Sequence, residues 1–172
     1  MILKKETIFG ERTILRPFSS KDAEQYSKMD RKKINTIEKA KNFINSSWKK
    51  DSYYFGIFLK ENNELIGQLE LCHMNWWYDK AGEICYFIKK DFRGKGYATE
   101  SSKIMINFCF KKLKFRKVYA DTDPDNLASQ KVLKKLGFKL EGKIREKNFV
   151  KGKWIDEYDF GLLKNEWNKK RV

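Results

Sequence analysis

Residue types on which several functions depend are scarce in this sequence of 172 residues. It contains a single histidine, His73, and three cysteines, Cys72, Cys85 and Cys109, which lie in apolar stretches without C-x-x-C spacing. Because no Cys/His cluster appears in the sequence, we expect no metal site. We also expect the thiols to be buried and reduced, which is typical of a cytoplasmic protein.

Long hydrophobic runs are missing as well. No apolar stretch approaches the roughly 18 residues that a membrane-spanning helix needs, and Lys4, Lys5 and Glu6 stand where a secretory signal would become apolar. Only two prolines occur, and no low-complexity linker interrupts the chain. We therefore expect residues 1–172 to form a single domain that does not contact a membrane.

Acidic residues are outnumbered by basic ones. The chain has 38 Lys and Arg against 23 Asp and Glu, which gives a formal net charge of +15. Such a charge attracts anionic partners, and nucleic acid, the ribosome or a phosphorylated cofactor would each fit. A lysine-rich, solvated surface without a partner is the alternative. The charge argues against polycationic substrates such as polyamines unless the pocket itself is acidic.

What the sequence does contain is a strand, a basic glycine turn and a helix in succession. Residues 83–88 are apolar, aromatic and β-branched, which predicts a strand, and residues 101–113 show near-helical spacing of apolar side chains. Between them, Arg93-Gly94-Lys95-Gly96 combines two cations with two glycines that allow close approach of a ligand to the backbone. Because N–H groups at a helix start lack partners, this turn predicts an anion site.

The remaining periodicity predicts a mixed α/β (α+β) chain around that centre. Hydrophobic alternation indicates strands, and capping residues followed by apolar faces indicate helices. The predicted strands cover 12–18, 53–60, 64–74 and 117–122 and a hairpin of 138–148 with 153–163; the predicted helices cover 19–29, 36–50 with Trp48 on its apolar face, and a segment from Asn126 to Leu136; the polar tail 164–172 is expected to fray.

Two motifs resemble the signatures of one enzyme family. The segment Arg93-Gly94-Lys95-Gly96-Tyr97-Ala98 resembles the acyl-CoA pyrophosphate loop of the GNAT acetyltransferases, Arg/Gln-x-x-Gly-x-Gly/Ala. Downstream, Asn126–Ser129, Leu136–Phe138 and Glu141-Gly142 look like the second signature of that family, and Leu15-Arg16-Pro17 extends the resemblance over nearly the whole chain. It is closest to the branch with the ribosomal-protein N-terminal acetyltransferases.

The resemblance implies a fold and an activity. The fold would be a mixed, mostly antiparallel sheet that is splayed at the acetyl-CoA strand and flanked by helices. The activity would be acetyl transfer from acetyl-CoA to a primary amine, a protein N-terminus or a small amine, by direct attack in a ternary complex. An antibiotic or metabolite acetyltransferase is an alternative, as is a non-catalytic module that senses acyl-CoA or docks on RNA. A homodimer and a ribosome contact remain open.

Residues for the co-substrate follow from the same resemblance. Backbone groups of the core strand would bind the pantetheine arm and stabilise the oxyanion, the glycine turn would hold the pyrophosphate, and two residues at the next helix start would complete the site. The residues implied are Tyr86, Phe87 and Ile88; Arg93, Gly94, Lys95, Gly96, Tyr97 and Ala98; and Asn126 and Ser129. A plain helix N-cap is the alternative for Asn126.

Two catalytic roles remain to be filled. The family tyrosine that protonates the thiolate is replaced here by Leu133, so Ser129 is expected to serve instead. Alternation puts Glu83 on the strand face of Cys85 and Phe87, where it could act as the general base, and Glu70 is the reserve candidate. His73 is expected to be structural.

Overall fold

A computed structural model describes residues 5–29, 34–49 and 52–169. Within these ranges nine strands form one mixed sheet in the order β1-β2-β4-β5-β6-β7-β9-β8, and β3 pairs with β4 outside this path. All pairings are antiparallel except that of β6 with β7. The strands are β1 (Ile8–Phe9), β2 (Thr13–Pro17), β3 (Trp48–Lys49), β4 (Ser52–Leu59), β5 (Leu65–Asn75), β6 (Ala81–Ile88), β7 (Lys117–Thr122), β8 (Lys139–Val150) and β9 (Lys153–Leu163).

Helices cover both faces of this sheet. They are α1 (Ala23–Ser27), α2 (Ile37–Ser46), α3 (Tyr97–Lys111), α4 (Leu127–Leu136) and α5 (Lys164–Lys169). On one face, α1 and α2 enclose a small aromatic cluster with Tyr26, Phe58 and Phe87. On the other face, α3, α4 and α5 cover the larger core. The predicted mixed, mostly antiparallel sheet flanked by helices is confirmed.

The neighbouring strands β6 and β7 separate soon after they begin. Their parallel pairing covers only Ala81–Glu83 opposite Lys117–Tyr119. Downstream, β6 stays paired with β5 as far as Ile88, and β7 stays paired with β9 as far as Thr122. A gap therefore opens between β6 and β7, which is the splayed arrangement that was predicted.

The glycine turn leads directly into α3. Gly94 and Gly96 have φ angles of +74° and +85°, in the left-handed region that favours glycine. The helix begins at Tyr97, four residues earlier than the apolar spacing predicted, so that Tyr97 and Ala98 belong to its first turn. The N–H groups of this turn have no partner within the helix and lie beside the turn.

Hydrogen bonds to Glu100 link the start of α3 to the start of β2. Its carboxylate accepts hydrogen bonds from the backbone N–H groups of Arg12 (2.7 Å) and Thr13 (3.0 Å), from Thr13 Oγ1 and from Arg12 Nε. Partial burial acts to raise the pKa of Glu100, but these hydrogen bonds outweigh it and the pKa is lowered. One carboxylate thus joins two elements that are distant in sequence.

The predicted end of helix α2 was wrong. Helix α2 stops at Ser46 rather than near Lys50, because the Ser46 and Ser47 hydroxyls bond the carbonyls of Phe43 and Ile44. Trp48 then enters β3 and packs its ring against Tyr53. Lys50 lies outside the described residues.

The C-terminal tail was predicted to fray, yet residues 164–169 form α5. Trp167 on this helix is buried, and its indole N–H donates to Asn107 Oδ1 at 2.9 Å. This buried aromatic side chain docks the short helix on the core, and Glu166 adds an ion pair with Lys139. Residues 170–172 lie outside the described part of the chain. Among the described residues, no helix has the length and hydropathy needed to cross a membrane.

We expect Glu100→Gln to destabilise the fold by about 1–3 kcal/mol at pH 7, the scale of hydrogen bonds to a charged group. Because the folded pKa of Glu100 lies below its ordinary value of 4.5, this stabilisation is present above that pH and is lost as the pH falls through the folded pKa. Urea unfolding of the wild type and the variant at pH 7 and in acid would measure the difference.

Glu24→Gln is the matched control. Glu24 pairs with Lys28 on an exposed helix surface, so its loss should leave the urea midpoint nearly unchanged. Equal midpoints for wild type and Glu100→Gln at pH 7 would contradict the role given to Glu100.

Candidate active site

A cleft of about 360 Å³ occupies the gap between β6 and β7. It is lined from both faces of the sheet, with Tyr86 and Ser129 on the α3/α4 side and Cys85 and Asp121 on the α1/α2 side. Thr122 Oγ1 in its wall is buried and has no hydrogen-bond partner among the described residues. The full lining is Ile84, Cys85, Tyr86, Ala120, Asp121, Thr122, Asp123, Asn126, Ser129, Asn148 and Glu157.

On the α3/α4 side, two hydroxyls meet. The Tyr86 hydroxyl lies 2.9 Å from Ser129 Oγ, a hydrogen bond in which either can donate. Burial raises the pKa of Tyr86, although the bond to Ser129 acts in the opposite direction. Leu133, at the position of the family tyrosine, is fully buried in the core. Tyr86 therefore brings a phenol to Ser129 from the core strand, which the sequence analysis missed because it assigned only a backbone role to Tyr86.

Asn126 is the N-cap of α4. Its Oδ1 accepts a hydrogen bond from the backbone N–H of Ser129 at 3.1 Å. This matches the alternative considered for Asn126, and the residue also lines the cleft. The cap also fixes the position of Ser129 at the start of the helix.

The backbone of β6 alternates its hydrogen-bonding direction. The N–H of Lys89 donates to the carbonyl of Ile66 on β5 at 2.8 Å, so alternation directs the backbone groups of Phe87 toward β5 as well. The backbone groups of Tyr86 and Ile88 are then directed toward the gap. Of the three predicted strand residues, two are oriented to offer backbone groups to a ligand there.

The glycine turn lies beyond the end of β6, with Arg93 and Lys95 exposed. Arg93 Nε donates to the Ile88 carbonyl at 2.9 Å, which fixes the guanidinium to the end of the strand. A Cβ added at Gly94 would meet no other atom within 4 Å, so the surface over this glycine is open. The turn thus presents cations and helix N–H groups to one open surface.

Arg12 supports this turn from behind. Its Nη1 donates to the carbonyl of Lys95 at 3.2 Å, and its guanidinium lies 4.7 Å from the centre of the Tyr97 ring. Because no local sequence signal links residue 12 to the turn, Arg12 was not among the predicted site residues.

On the α1/α2 side, Glu83 forms a carboxylate–imidazole pair with His73. Glu83 is 8% exposed. Its Oε2 lies 2.6 Å from His73 Nδ1, and its Oε1 accepts from the Cys85 thiol at 3.4 Å. Glu83 and Cys85 share a face, as the alternation predicted. The contact with His73 was not predicted, since His73 was expected to be structural.

His73 is held in an unusual backbone conformation. It has a φ of +46° beside an irregularity in the pairing of β5 and β6, and its carbonyl accepts a hydrogen bond from the Tyr119 hydroxyl at 2.9 Å. Its side chain is 75% exposed. The hydrogen bond to Glu83 raises the pKa of His73. His73 therefore connects a buried carboxylate with solvent.

Further carboxylates surround this pair. Partial burial and the neighbouring Glu83 raise the pKa of Asp121. Glu157 is buried in the cleft wall and accepts from Asn148 Nδ2 at 2.9 Å. Glu70, the reserve candidate for the base, lies one strand farther away on β5 and is hydrogen-bonded by Ser52. The α1/α2 side of the gap is therefore acidic although the whole chain is basic.

A Cys/His cluster that is not visible in the sequence is present in the folded chain. Antiparallel pairing places Cys72 opposite Glu83, and the ligand atoms of Cys72, His73 and Glu83 lie within 4.8 Å of one another. Sequence spacing did not reveal the cluster because its members come from two strands. The three cysteines are free thiols, with Cys72 and Cys109 buried and Cys85 partly so.

Comparisons with known proteins agree with this geometry. The family model described as acetyltransferase (GNAT) domain matches residues 12–139. The uncharacterized N-acetyltransferase p20 of Bacillus licheniformis is 32% identical over 178 residues, covering 94% of this chain and 98% of that protein. A crystal structure of a GNAT-family acetyltransferase from Bacillus anthracis has a TM-score of 0.80 at 27% identity, covering 94% of this chain and all of that one.

Two further relatives have names that state a substrate. The spermidine N(1)-acetyltransferase of Escherichia coli is 30% identical over 106 residues, which cover 62% of this chain and 56% of that protein. The ribosomal protein uS5-alanine N-acetyltransferase of E. coli is 27% identical over 129 residues, which cover 74% and 66%.

The contact between His73 and Glu83 can be tested by NMR. Because His73 is the only histidine, its ring protons can be followed through a pH titration without ambiguity. We expect its pKa to lie above 6.5 in the wild type and to fall in Glu83→Gln, since the hydrogen bond to Glu83 is the largest cause of the rise. Glu70→Gln is the control and should lower the pKa less. Titration curves that coincide for wild type and Glu83→Gln would refute the pair.

Proposed function

This chain belongs to the GNAT acetyltransferase family and is an acetyl-CoA-dependent N-acetyltransferase, and we propose that its acceptor is a positively charged primary amine. The observation that carries this proposal is the two-sided cleft, with hydroxyls on the α3/α4 side and carboxylates on the α1/α2 side. The thioester would lie in the gap between β6 and β7, and the amine would approach it from the α1/α2 face. Residues 1–172 would form one such domain.

Acetyl-CoA would bind along the α3/α4 side. The pyrophosphate would lie over Arg93–Ala98, where the open surface at Gly94 and the helix N–H groups suit an anion. The pantetheine arm would run into the gap past Asn126 and the backbone groups of Tyr86 and Ile88. One of these strand N–H groups would stabilise the oxyanion that forms from the thioester carbonyl.

The reaction would use both sides of the sheet. A primary amine arrives protonated, so the carboxylate of Glu83 would accept a proton, directly or through a water, and His73 would carry that proton on to solvent. The free amine attacks the carbonyl carbon; the C–N bond forms as the C–S bond breaks. The thiolate that leaves would receive a hydrogen bond and then a proton from Ser129, whose hydroxyl is hydrogen-bonded to Tyr86. Ser129 would regain a proton, through Tyr86 or water, from the attacking nitrogen, which loses its second proton as the neutral amide forms.

The acidic wall indicates what kind of amine is bound. Asp121 and Glu157 line the gap, and Asp121 lies within 4.8 Å of Glu83. Several carboxylates in one place attract a cation and hold the neutral amide product less strongly. The basic net charge argued against polyamine substrates unless the pocket is acidic, and these carboxylates make it acidic. The names of two relatives, one acting on spermidine and one on a ribosomal protein, support a small polyamine and a protein N-terminus as the two acceptors to test first.

The ribosomal alternative has one further argument. The net charge of +15 favours approach to an anionic particle such as the ribosome. By contrast, a non-catalytic sensor would have no use for a proton acceptor such as the Glu83–His73 pair. We therefore propose catalysis at this gap with an amine of either class.

The proposal is tested by thiol release from acetyl-CoA with peptides of varied N-termini, polyamines and aminoglycosides as acceptors. We expect turnover with one of the first two classes. With that acceptor, Glu83→Gln should lower kcat about 10²–10⁴-fold, the usual contribution of a general base, with the affinity for acetyl-CoA unchanged.

Glu70→Gln is the matched control, since Glu70 is also a carboxylate on this face but lies on β5, and it should lower kcat much less. Tyr86→Phe should lower kcat as well without changing the rise of the rate with pH. A larger loss in Glu70→Gln than in Glu83→Gln would move the base to Glu70, and turnover with aminoglycosides alone would reject the proposed acceptor classes.

The pyrophosphate loop can be tested with two glycines of similar geometry. Gly94 and Gly152 have φ angles of +74° and +81°, and a Cβ would meet nothing within 4 Å at either. Alanine should therefore cost each site about 1–2 kcal/mol of backbone strain. Only Gly94→Ala should weaken acetyl-CoA binding, by about tenfold or more, or ~1.4 kcal/mol, because its methyl group would stand under the pyrophosphate.

Isothermal titration calorimetry with both variants gives the comparison. Equal affinities in Gly94→Ala and wild type would reject the assignment of this loop. A loss in Gly152→Ala of the same size would show that the effect comes from general destabilisation.

A further inference from the structure

A compact set of metal-ligating side chains surrounds Glu83. Its members come from β5 and β6, whose antiparallel register pairs Cys72 with Glu83 and Glu70 with Cys85. The ligand atoms of Cys72, His73 and Glu83 lie within 4.8 Å of one another, and the same holds for Glu70, Cys72 and Cys85. One thiol, an imidazole and a carboxylate therefore converge on one place, and the second thiol, Cys85, lies beside them with its Sγ 3.4 Å from Glu83 Oε1.

We propose that Cys72, His73 and Glu83 form a binding site for a thiophilic divalent cation such as Zn²⁺. Thiolate sulfur and imidazole nitrogen are the ligands that Zn²⁺ prefers, a carboxylate is a third, and a water would complete a tetrahedral set. Ligand bonds of about 2.0–2.3 Å place tetrahedral ligand atoms roughly 3.3–3.8 Å apart. Atoms already within 4.8 Å of one another need only small side-chain movements to close around an ion.

Charge and access both fit a cation. Asp121 lies within 4.8 Å of Glu83 and Cys85, and together with Glu70 it adds negative charge beside the ligands. His73 is 75% exposed, so the ion can be captured from solvent at this edge and then reach the buried thiol of Cys72. On binding, the metal replaces the thiol proton of Cys72, which is released to the buffer.

Metal binding and acetyl transfer would exclude each other. The ion takes the carboxylate of Glu83 and displaces it from His73 Nδ1, which are the atoms that the proposed proton transfer uses. The binding site itself does not depend on the proposed function, but the inhibition rests on the role of Glu83 as base. Zn²⁺ would therefore inhibit acetyl transfer without binding to the acetyl-CoA loop.

The binding experiment titrates the reduced, folded protein with Zn²⁺ against a chromophoric chelator. We expect one ion per chain, released protons, and an affinity that Cys72→Ser lowers at least roughly tenfold, the scale that even the outer partners of metal ligands carry. Cys109→Ser is the control, since Cys109 is a buried thiol on α3 outside the cluster. If Cys72→Ser does not fold, His73→Ala tests the same site from the exposed side.

Failure to bind Zn²⁺, or equal affinities in wild type and in a folded Cys72→Ser or His73→Ala variant, would overturn the proposal. A parallel measurement separates it from the proposed function. Zn²⁺ should inhibit acetyl transfer by the wild type, and Cys72→Ser should keep its turnover while it loses that inhibition. Binding without inhibition would keep the metal site but reject Glu83 as the base.

Discussion

The structure depends on the early separation of β6 from β7. After three parallel residue pairs the strands part, and backbone groups that a continuous sheet would satisfy are left facing a gap. Unpaired backbone groups in a protein interior are costly, so the gap needs substitutes. The Arg93 guanidinium supplies one by bonding the Ile88 carbonyl. Those that remain are a ready set of partners for an extended, amide-containing ligand, which describes a pantetheine arm.

The gap also joins two faces that the sheet otherwise keeps apart. Successive residues of β6 face opposite sides, so Glu83 and Tyr86, three positions apart, serve different surfaces. Tyr86 meets Ser129 above the sheet, while Glu83 meets His73 below it. The proposed proton acceptor and the proposed proton donor therefore lie on opposite faces of the same strand. Electrostatics follow the same division, with cations at the glycine turn and carboxylates on the opposite face.

Local features were predictable from the sequence, and contacts between strands were not. A few adjacent residues are sufficient to predict each of three features: the turn at Gly94 and Gly96, the placement of Glu83 and Cys85 on one strand face, and the cap at Asn126. The contacts of His73 with Glu83 and of Tyr86 with Ser129 depend on register and on helix placement, which no local spacing encodes. The end of α2 was missed because two serines compete for its last carbonyls, and α5 was missed because one buried tryptophan holds it.

The hydrogen bond from Arg12 to the glycine turn reduces the free energy that ligand binding must spend on ordering that turn. The Arg12 guanidinium donates a hydrogen bond to the carbonyl of Lys95, which lies 83 positions downstream in the sequence. It also donates one to the Glu100 carboxylate. The loop is therefore already ordered before any phosphate arrives, so less of the interaction energy is lost in freezing it. Arg12, which directly precedes β2, would thus contribute to the proposed co-substrate site by supporting the turn, without contacting the ligand.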